Sequence, residues 1–584
     1  MAVYPLWQAD VPEESAEEIE RRKKQLADEI DACCEVQGSY RNKVKKFLEE
    51  QGIWHISEID YLLRVKYEEF LKTEVSPVSW NIYLKGFDRI KQHSVREQIQ
   101  TLKGKRNTLT DLEDQIIFLP YHPEQEIAGQ FGRLVKTDNL VWNFSQKAPR
   151  MLKKQIFDVL HFMLRQGMSK KDRSDYLTAL KRLYEFCIKE QVADIESLEL
   201  RQIDKFRDSI QYWREQDFAM RILEQSRKIL FVESDEVHWN ANVWYLDRFH
   251  FERARVNPTS PVQTISFIEV TDKENRKYLQ QYMKYCLGVT HLAISNIQSE
   301  FNRIRSFVVW LEKNHLQGVR DVSEDTVDRY FRYQERNRIK EETFNKTVRS
   351  ILHFYDYLKV KRIIKKIPFC EQYYLKKTMP EHHDRSVGEE VYAEMILKLK
   401  YFPEDLRLMF LHLWGIGLRA SEVCSLKGDA YYLQGKDAWI QVYQIKRKDY
   451  KRIPIPWAIY KLMEVYLEKY RISRDDYIFQ NKKGGAYSYS SFRYRMLKYC
   501  EKNQIGNGEY LFKSHDYRHH VATMYYDNEV SIQSVRDYLG HDYEEMTRQY
   551  IDYMPQKISR ANEEYFKQEE YGLASGIKRC KRGK

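Results

Sequence analysis

The sequence has no cysteines at CxxC spacing and no apolar run approaching the roughly 18 residues of a membrane span. Its N-terminus also lacks a basic region followed by an apolar core. These absences exclude a disulfide framework, the common zinc motifs, a membrane-spanning helix and a secretory signal peptide. We therefore expect a cytoplasmic protein with reduced thiols and no bound metal. The cysteines are Cys33, Cys34, Cys187, Cys286, Cys370, Cys424, Cys500 and Cys580.

Positive charge is in modest excess. Lysine and arginine number 97 against 86 aspartate and glutamate residues, which gives a formal net charge of +11. Such an excess favours an anionic partner, of which nucleic acid is the commonest. Because the excess is small for 584 residues, a soluble protein with a basic surface is the alternative.

One helical pattern recurs in the first two thirds of the chain. An apolar residue is followed nine and then twelve positions later by two more, and a basic helix comes after them. The sets are Phe47 with Ile56 and Ile59, Phe186 with Ile195 and Leu198, and Trp310 with Val319 and Val322. We interpret them as three related helical modules, at residues 38–95, 165–232 and 275–365, although a coincidence of spacing is the alternative. The segments between them, about 105–150 and 232–270, are typical of linkers with some strand.

The character of the sequence changes near residue 378. A polar stretch, KKTMPEHHDRSVGEE, suits an inter-domain linker. A helix follows with an apolar face that includes Leu406, Phe410 and Leu413. A β-hairpin is predicted next, with one strand at residues 438–445, a turn at RKDY and a return strand at 452–455. Helices then continue to a basic tail, IKRCKRGK.

Four segments of this C-terminal region carry residues suited to chemistry at a DNA phosphate. They are GIGLRASEVCSLK with Arg419, QIKRKDYKRIPIP with Lys446, SHDYRHHVAT with His515 and Arg518, and YLGHDYEEMTRQYIDY with His541 and Tyr550. Two arginines supply planar charged groups that grip a phosphate. His515 and Arg518 share a helix face at i,i+3 spacing. Gly540 is placed to end a helix and present His541 at a turn.

Together these segments closely resemble the signature of the tyrosine recombinase, or phage integrase, family over about residues 385–560. The resemblance implies that Arg419, Lys446, His515, Arg518, His541 and Tyr550 form the catalytic set. It implies Tyr550 as the nucleophile of a 3′-phosphotyrosine intermediate and Lys446 as the general acid. It also implies that no cofactor or metal is needed. The module at 275–365 looks like the family's helical core-binding domain, and the long N-terminal extension is similar to that of the large transposon-encoded members.

Several residue assignments have rivals. Lys448 competes with Lys446, which is preferred because it stands eight residues before Pro454, where the family lysine falls. Tyr538, Tyr543 and Tyr553 compete with Tyr550. His515, His519 and His520 could suggest a metal site, but the HExxH pattern and nearby cysteines are absent.

We predict a mainly α fold with a small β-hairpin or sheet, in which helical DNA-binding modules precede an α+β catalytic domain. The predicted domains are residues 1–104, 105–270, 271–377 and 378–584, the last with a C-terminal helix that docks on a neighbouring protomer. The predicted function is site-specific recombination, as an integrase or transposase. The predicted partners are double-stranded DNA sites, further copies in a tetrameric synapse, and a second recombinase or accessory protein, with no membrane. A type IB topoisomerase, an inactive DNA-binding accessory protein and a helical scaffold are the alternatives.

Overall fold

The fold is mainly α-helical, as the sequence predicts. The computed structural model describes residues 16–104, 106, 115–131, 138–210, 216–314, 318–378 and 387–541. Within these ranges three small antiparallel sheets accompany the helices, which confirms the predicted fold class. None of the helices in these ranges has the length and apolar character that a bilayer span requires. Tyr550, the predicted C-terminal helix and the basic tail lie outside the described residues.

The chain divides into two compact units. Met1–Arg248 with Thr264–Thr271 form the first, and Phe249–Gln263 with Asp272–Lys584 form the second. The four domain boundaries drawn from the sequence remain a prediction.

The first unit contains two groups of four helices and two short β-pairs. The first group is α1 (Ala16–Asp31), α2 (Gly38–Glu50), α3 (Tyr61–Glu74) and α4 (Trp80–Gln98), which we call module A. The strands β1 (Ile116–Phe118) and β2 (Val141–Asn143) pair, with the short helix α5 (Gln125–Ala128) between them. Module B is α6 (Arg150–Arg165), α7 (Lys170–Lys189), α8 (Leu200–Ser209) and α9 (Gln216–Glu233). The strands β3 (Val243–Tyr245) and β4 (Thr264–Ser266) follow as a second pair. Both β-pairs fall in the segments that the sequence indicates as linkers with strand.

The second unit contains a third group of four helices, which follows its segment Phe249–Gln263. This group, module C, is α10 (Lys273–Gly288), α11 (Ile294–Lys313), α12 (Glu324–Arg336) and α13 (Glu341–Val360). The C-terminal domain follows with helices α14 (Glu389–Lys398), α15 (Glu404–Ile416) and α16 (Ala420–Cys424). Its sheet is β5 (Tyr431–Gln434), β6 (Asp437–Gln444) and β7 (Asp449–Pro454) in the order β5-β6-β7. The helices α17 (Trp457–Tyr470), α18 (Tyr489–Lys502), α19 (Ser514–Asp527) and α20 (Ile532–Leu539) complete the described part.

The three modules share a hydrogen bond that ties the first helix to the turn after the second. In module A, Oε2 of Glu29 accepts from the backbone N–H of Ile56 at 3.0 Å. In module B, Oε1 of Gln155 accepts from Ile195 N–H at 2.9 Å, and in module C, Oδ1 of Asn275 accepts from Val319 N–H at 3.0 Å. These three donors are the residues that the sequence spacing aligned. The recurring pattern therefore reflects one structural arrangement that occurs three times. In modules A and B this arrangement also includes α1 and α6, which precede the module boundaries predicted from the sequence.

The β-hairpin differs from its prediction in the position of the turn. The ladder continues to the pair Gln444 and Asp449, so residues 445–448 form the turn instead of RKDY. The rings of Tyr443 and Tyr450, opposite each other on β6 and β7, lie 5.1 Å apart and favour this longer pairing. The edge strand β5, only four residues long and half exposed, was not predicted.

Replacing Asn275 tests the hydrogen bond that the modules share. Asn275→Leu keeps the side-chain size but leaves the buried N–H of Val319 without its acceptor. We expect the free energy of unfolding to fall by about 1–3 kcal/mol in urea denaturation. Asn296→Leu, at an exposed position of α11, is the matched control and should stay within about 0.5 kcal/mol of the wild type. Equal effects of the two variants would contradict a structural role for this bond.

Candidate active site

Arg419 stands at a corner between two helices of the C-terminal domain. Gly417 ends α15 with a φ of 72°, and a side chain there would lie 3.1 Å from Val521 and 3.2 Å from Leu539. The chain then turns so that Arg419 is the N-cap residue of α16. The segment GIGLRASEV thus combines a left-handed glycine with a new helix start, which aims the arginine into the domain.

Glu422 holds Arg419 in place. One oxygen of this buried carboxylate accepts from the Arg419 guanidinium at 2.8 Å, and the other accepts from the Arg419 backbone N–H at 2.9 Å. Burial opposes ionisation, but Lys451, Arg518 and Arg419 together lower the pKa of Glu422 to about 2. Glu422 is therefore a charged group at neutral pH.

Lys451 approaches the same carboxylate from β7. Its Nζ lies 3.6 Å from Oε2 of Glu422 and 3.5 Å from the carbonyl oxygen of Leu539. Burial lowers the pKa of Lys451 to about 8, against the opposing charge of Glu422. Glu422 and Lys451 are not among the site residues predicted from the sequence. Glu422, three residues after Arg419, and the alternation of buried and exposed residues along β7 are the signals that point to them.

Arg518 lies at the centre of the site on α19 and is 1% exposed. Its guanidinium donates to the carbonyl oxygen of Gly417 at 2.7 Å and to that of Leu539 at 2.6 Å. It also lies 2.9 Å from Nε2 of His541. Arg518 therefore joins the corner that carries Arg419 to the end of α20, two segments more than a hundred residues apart.

His541 follows directly after the glycine that ends α20. Gly540 has a φ of 70°, and a Cβ on it would lie 2.1 Å from Nε2 of the buried Gln444, so a larger residue would strain the backbone and displace that amide. Arginine is solely a donor, so Nε2 of His541 acts as the acceptor and the ring proton is assigned to Nδ1. Burial, together with the charge of Arg518, lowers the pKa of His541 to about 3. The imidazole is therefore neutral and presents one N–H donor.

The charges of this cluster make it an anion site. Arg419, Lys451 and Arg518 carry three positive charges, Glu422 carries one negative charge, and His541 is neutral. The cluster retains an excess of two positive charges in a largely buried setting, where electrostatic interactions are strong. A phosphate diester bound there would offset this excess.

The other predicted residues are placed differently. Lys446 is exposed on the β6–β7 turn, and His515 is exposed on the first turn of α19, three residues before the buried Arg518. Tyr550 lies outside the described residues. The structure thus brings Arg419, Arg518 and His541 together, and the complete six-residue set remains a prediction.

The hairpin that carries Lys446 contacts two neighbouring segments of the second unit. The guanidinium of Arg253 lies 4.5 Å from the ring centre of Tyr443 and donates to the hydroxyl of Tyr450 at 3.0 Å. At the turn, Nζ of Lys448 donates to the carbonyl oxygen of His291, between α10 and α11 of module C, at 3.3 Å. Lys448 is therefore engaged in a contact with module C, whereas Lys446, beside it, is exposed. In the described ranges, no group of three or more His, Cys, Asp or Glu side chains is arranged to hold a metal ion.

Comparisons with known proteins give one family match and several relatives. Residues 386–557 match the model of the phage integrase family. Transposase B from transposon PsiTn554 of Staphylococcus aureus is 26% identical over 339 residues, covering 55% of this chain and 53% of the transposase. Tyrosine recombinase XerC of Bacillus licheniformis is 22% identical over 292 residues, covering 47% of this chain and 91% of XerC. The chain spans about half the length of the transposases that it matches.

Solved structures also align with this chain. The pre-cleavage complex of the XerH site-specific recombinase with its difH substrate aligns at 15% identity with a TM-score of 0.38. That alignment covers 54% of this chain and 94% of XerH. The integrase of transposon Tn1549 in complex with circular intermediate DNA aligns at 16% identity with a TM-score of 0.36, over 49% of this chain and 98% of the integrase.

His541 should make stability depend on pH. Its folded pKa of about 3 lies below the ordinary value of 6.5, so the unfolded chain takes up the extra proton first as the pH falls. This contribution to stability is complete above pH 6.5 and declines toward pH 3. His541→Gln should flatten that decline in urea denaturation performed at a series of pH values. The exposed His250→Gln is the control and should keep the wild-type slope. An unchanged slope in His541→Gln would rule out a buried, neutral imidazole.

Proposed function

We propose that this chain, whose residues 386–557 belong to the phage integrase family of tyrosine recombinases, is a site-specific DNA recombinase that breaks and rejoins strands through a 3′-phosphotyrosine intermediate. The buried cluster of Arg419, Arg518 and His541, with its excess positive charge, is the observation that supports this activity most directly. Such a cluster stabilises the charge that develops on a phosphate during transesterification.

Each residue of the proposed site has a role in one reaction. The Tyr550 oxygen attacks the phosphorus, the bond to the 5′ oxygen breaks, and the tyrosine becomes joined to the 3′ phosphate. The guanidinium groups of Arg419 and Arg518 bind the non-bridging oxygens, aided by the N–H of His541 and by His515. Lys446 gives a proton to the departing 5′ oxygen, while the proton of Tyr550 passes to a base. The ester exchange conserves a phosphodiester-type bond, so the reverse attack by a 5′ hydroxyl rejoins strands without ATP.

Glu422 and Lys451 are positioning residues in this proposal. Glu422 binds both the backbone and the guanidinium of Arg419, so it fixes that side chain before DNA arrives. Lys451 keeps Glu422 charged and contacts the carbonyl oxygen of Leu539, beside the turn that presents His541. Preorganised charge of this kind costs no reorganisation during the reaction.

The biological setting is part of the same proposal. The likeness of this chain to a transposon-encoded transposase supports a role on a mobile element, in integration or transposition. We propose that the chain acts on double-stranded DNA sites in the cytoplasm, as a tetrameric synapse of its own copies, beside a second recombinase or accessory protein. The basic composition agrees with a DNA partner.

Tyr550→Phe should abolish covalent capture of DNA. A nicked duplex that carries the cognate site should trap the wild-type protein on a 3′ phosphate, in excess EDTA and without ATP. The variant should form no adduct yet bind the duplex nearly as well, because it lacks only the hydroxyl group. Adduct formation is read by denaturing gel electrophoresis, with Tyr553→Phe as the control that keeps activity. An adduct in Tyr550→Phe but not in Tyr553→Phe would identify Tyr553 as the nucleophile. Dependence of adduct formation on a metal would contradict the mechanism.

A substrate with sulfur at the 5′-bridging position should distinguish the role of Lys446 from that of Lys451. Its leaving group needs little protonation, so it should restore cleavage by Lys446→Ala. The same substrate should not restore cleavage by Lys451→Ala, since that variant loses the positioning of Glu422 and Arg419. Lys448→Ala is the control on the same turn and should cleave both substrates well. Rescue of Lys451→Ala alone would instead make Lys451, whose pKa is about 8, the general acid.

A further inference from the structure

We propose that all three modules contact DNA phosphates through the same position of their fourth helix, so that modules A and B extend the contact expected of module C. This inference rests on the proposed function, because it assigns to residues 16–98 and 150–233 the partner proposed for the whole chain. It gives the N-terminal extension a role in binding a longer DNA segment.

The turn between the second and third helices has a further feature that the three modules share, besides the hydrogen bond from the first helix. Four residues after Ile56, Ile195 and Val319 stand the N-cap residues of the third helices. These are Asp60, which accepts from Leu63 N–H at 2.7 Å, Glu199, whose N–H donates to Gln202 at 3.0 Å, and Ser323, which accepts from Thr326 N–H at 3.3 Å. The same offset and the same function recur three times.

The fourth helix of each module also returns a donor to that turn. Nζ of Lys91 donates to the carbonyl oxygen of Ser57 at 2.7 Å in module A. Nε of Arg227 donates to that of Ile195 at 3.1 Å in module B, and the hydroxyl of Tyr355 donates to that of Val319 at 3.2 Å in module C. These three side chains align the fourth helices residue by residue.

The second helices align through their buried positions. Three residues before Phe47, Phe186 and Trp310, and again one residue after them, the side chain is 0% exposed in every module. These positions are Val44, Leu183 and Phe307, then Leu48, Cys187 and Leu311. Their different side chains fill one geometric role, so the modules correspond in all four of their helices.

In this alignment, an exposed cationic residue occupies the same position of each fourth helix. Six residues before the returning donor, the fourth helices carry Lys85, Arg221 and Arg349. All three side chains are exposed, and within the described parts of the chain none of them has an ion-pair partner. By contrast, the exposed Lys205 of module B is paired with Glu190 at 2.6 Å. Three cations that lack an ion-pair partner in the described residues, at one structural position, leave that position available to an anionic partner.

The next turn of each fourth helix adds a second hydrogen-bond donor beside the exposed cation. The residue four positions further on lies on the same helix face and is again a hydrogen-bond donor, although Arg89 also donates to the carbonyl oxygen of Glu35 and His353 pairs with Glu300. The pairs are Lys85 with Arg89, Arg221 with Gln225 and Arg349 with His353. Cationic and amide donors spaced along a helix suit the uniform backbone of a duplex, which offers phosphates at regular intervals. An acidic patch on another protein would have no reason to repeat in step with the modules.

The salt dependence of DNA binding tests this inference in the full-length chain. Binding to a mixed-sequence duplex of about 60 base pairs is measured by fluorescence anisotropy over a range of KCl concentrations. Each of Lys85→Ala, Arg221→Ala and Arg349→Ala should reduce the slope of log K against log salt by about 1, because each removes one phosphate contact. Lys205→Ala, which removes a paired charge, should leave the slope unchanged.

The outcomes separate this inference from the proposed function. A wild-type slope in Lys85→Ala and Arg221→Ala, with a reduced slope in Arg349→Ala, would overturn the roles of modules A and B while leaving the recombinase proposal intact. An unchanged slope but altered sedimentation in Lys85→Ala or Arg221→Ala would instead assign that surface to a second copy of the chain. Absence of both DNA binding and Tyr550-dependent adduct in the wild type would refute the proposed function itself.

Discussion

A single buried carboxylate sets the arrangement of the candidate active site. Glu422 is ionised although almost fully buried, and such a charge is tolerated only when it is paired and hydrogen-bonded. Glu422 therefore pairs with Arg419 at the helix corner and with Lys451 on the sheet, which holds the two cations close together. The site has more cations than Glu422 can neutralise, so the pairing that stabilises the fold also leaves charge for a phosphate.

The backbone supplies the second constraint. Arg518 is fixed by the carbonyl oxygens of Gly417 and Leu539, which belong to two chain turns rather than to side chains that could rotate. Both turns depend on a glycine in the left-handed region, at positions 417 and 540. The position of Arg518 therefore depends on two helix ends, and a bound phosphate would meet a guanidinium already hydrogen-bonded to the backbone.

Local patterns in the sequence predicted the parts of this site that depend on short segments. Arg419, Arg518 and His541 each stand in a distinctive stretch, and the glycine that ends α20 marks the turn before His541. Glu422 and Lys451 were missed because their role arises from a contact between α16 and β7, and the local signals at each position do not show that the two side chains meet. The hairpin turn was misplaced for the same reason, since its length depends on the cross-strand pair of Tyr443 and Tyr450. The hairpin itself was predicted from alternation.

The modules show why their kinship is so faint in the sequence. A buried N–H at the turn requires an acceptor, and the chain provides it from the first helix as a glutamate, a glutamine or an asparagine. What recurs is the acceptor oxygen at about 3 Å, so the residue type is free to change. The returning donor varies likewise between lysine, arginine and tyrosine. The spacing of apolar residues survives these exchanges, because burial fixes where a side chain lies more strictly than hydrogen bonding fixes which side chain it is.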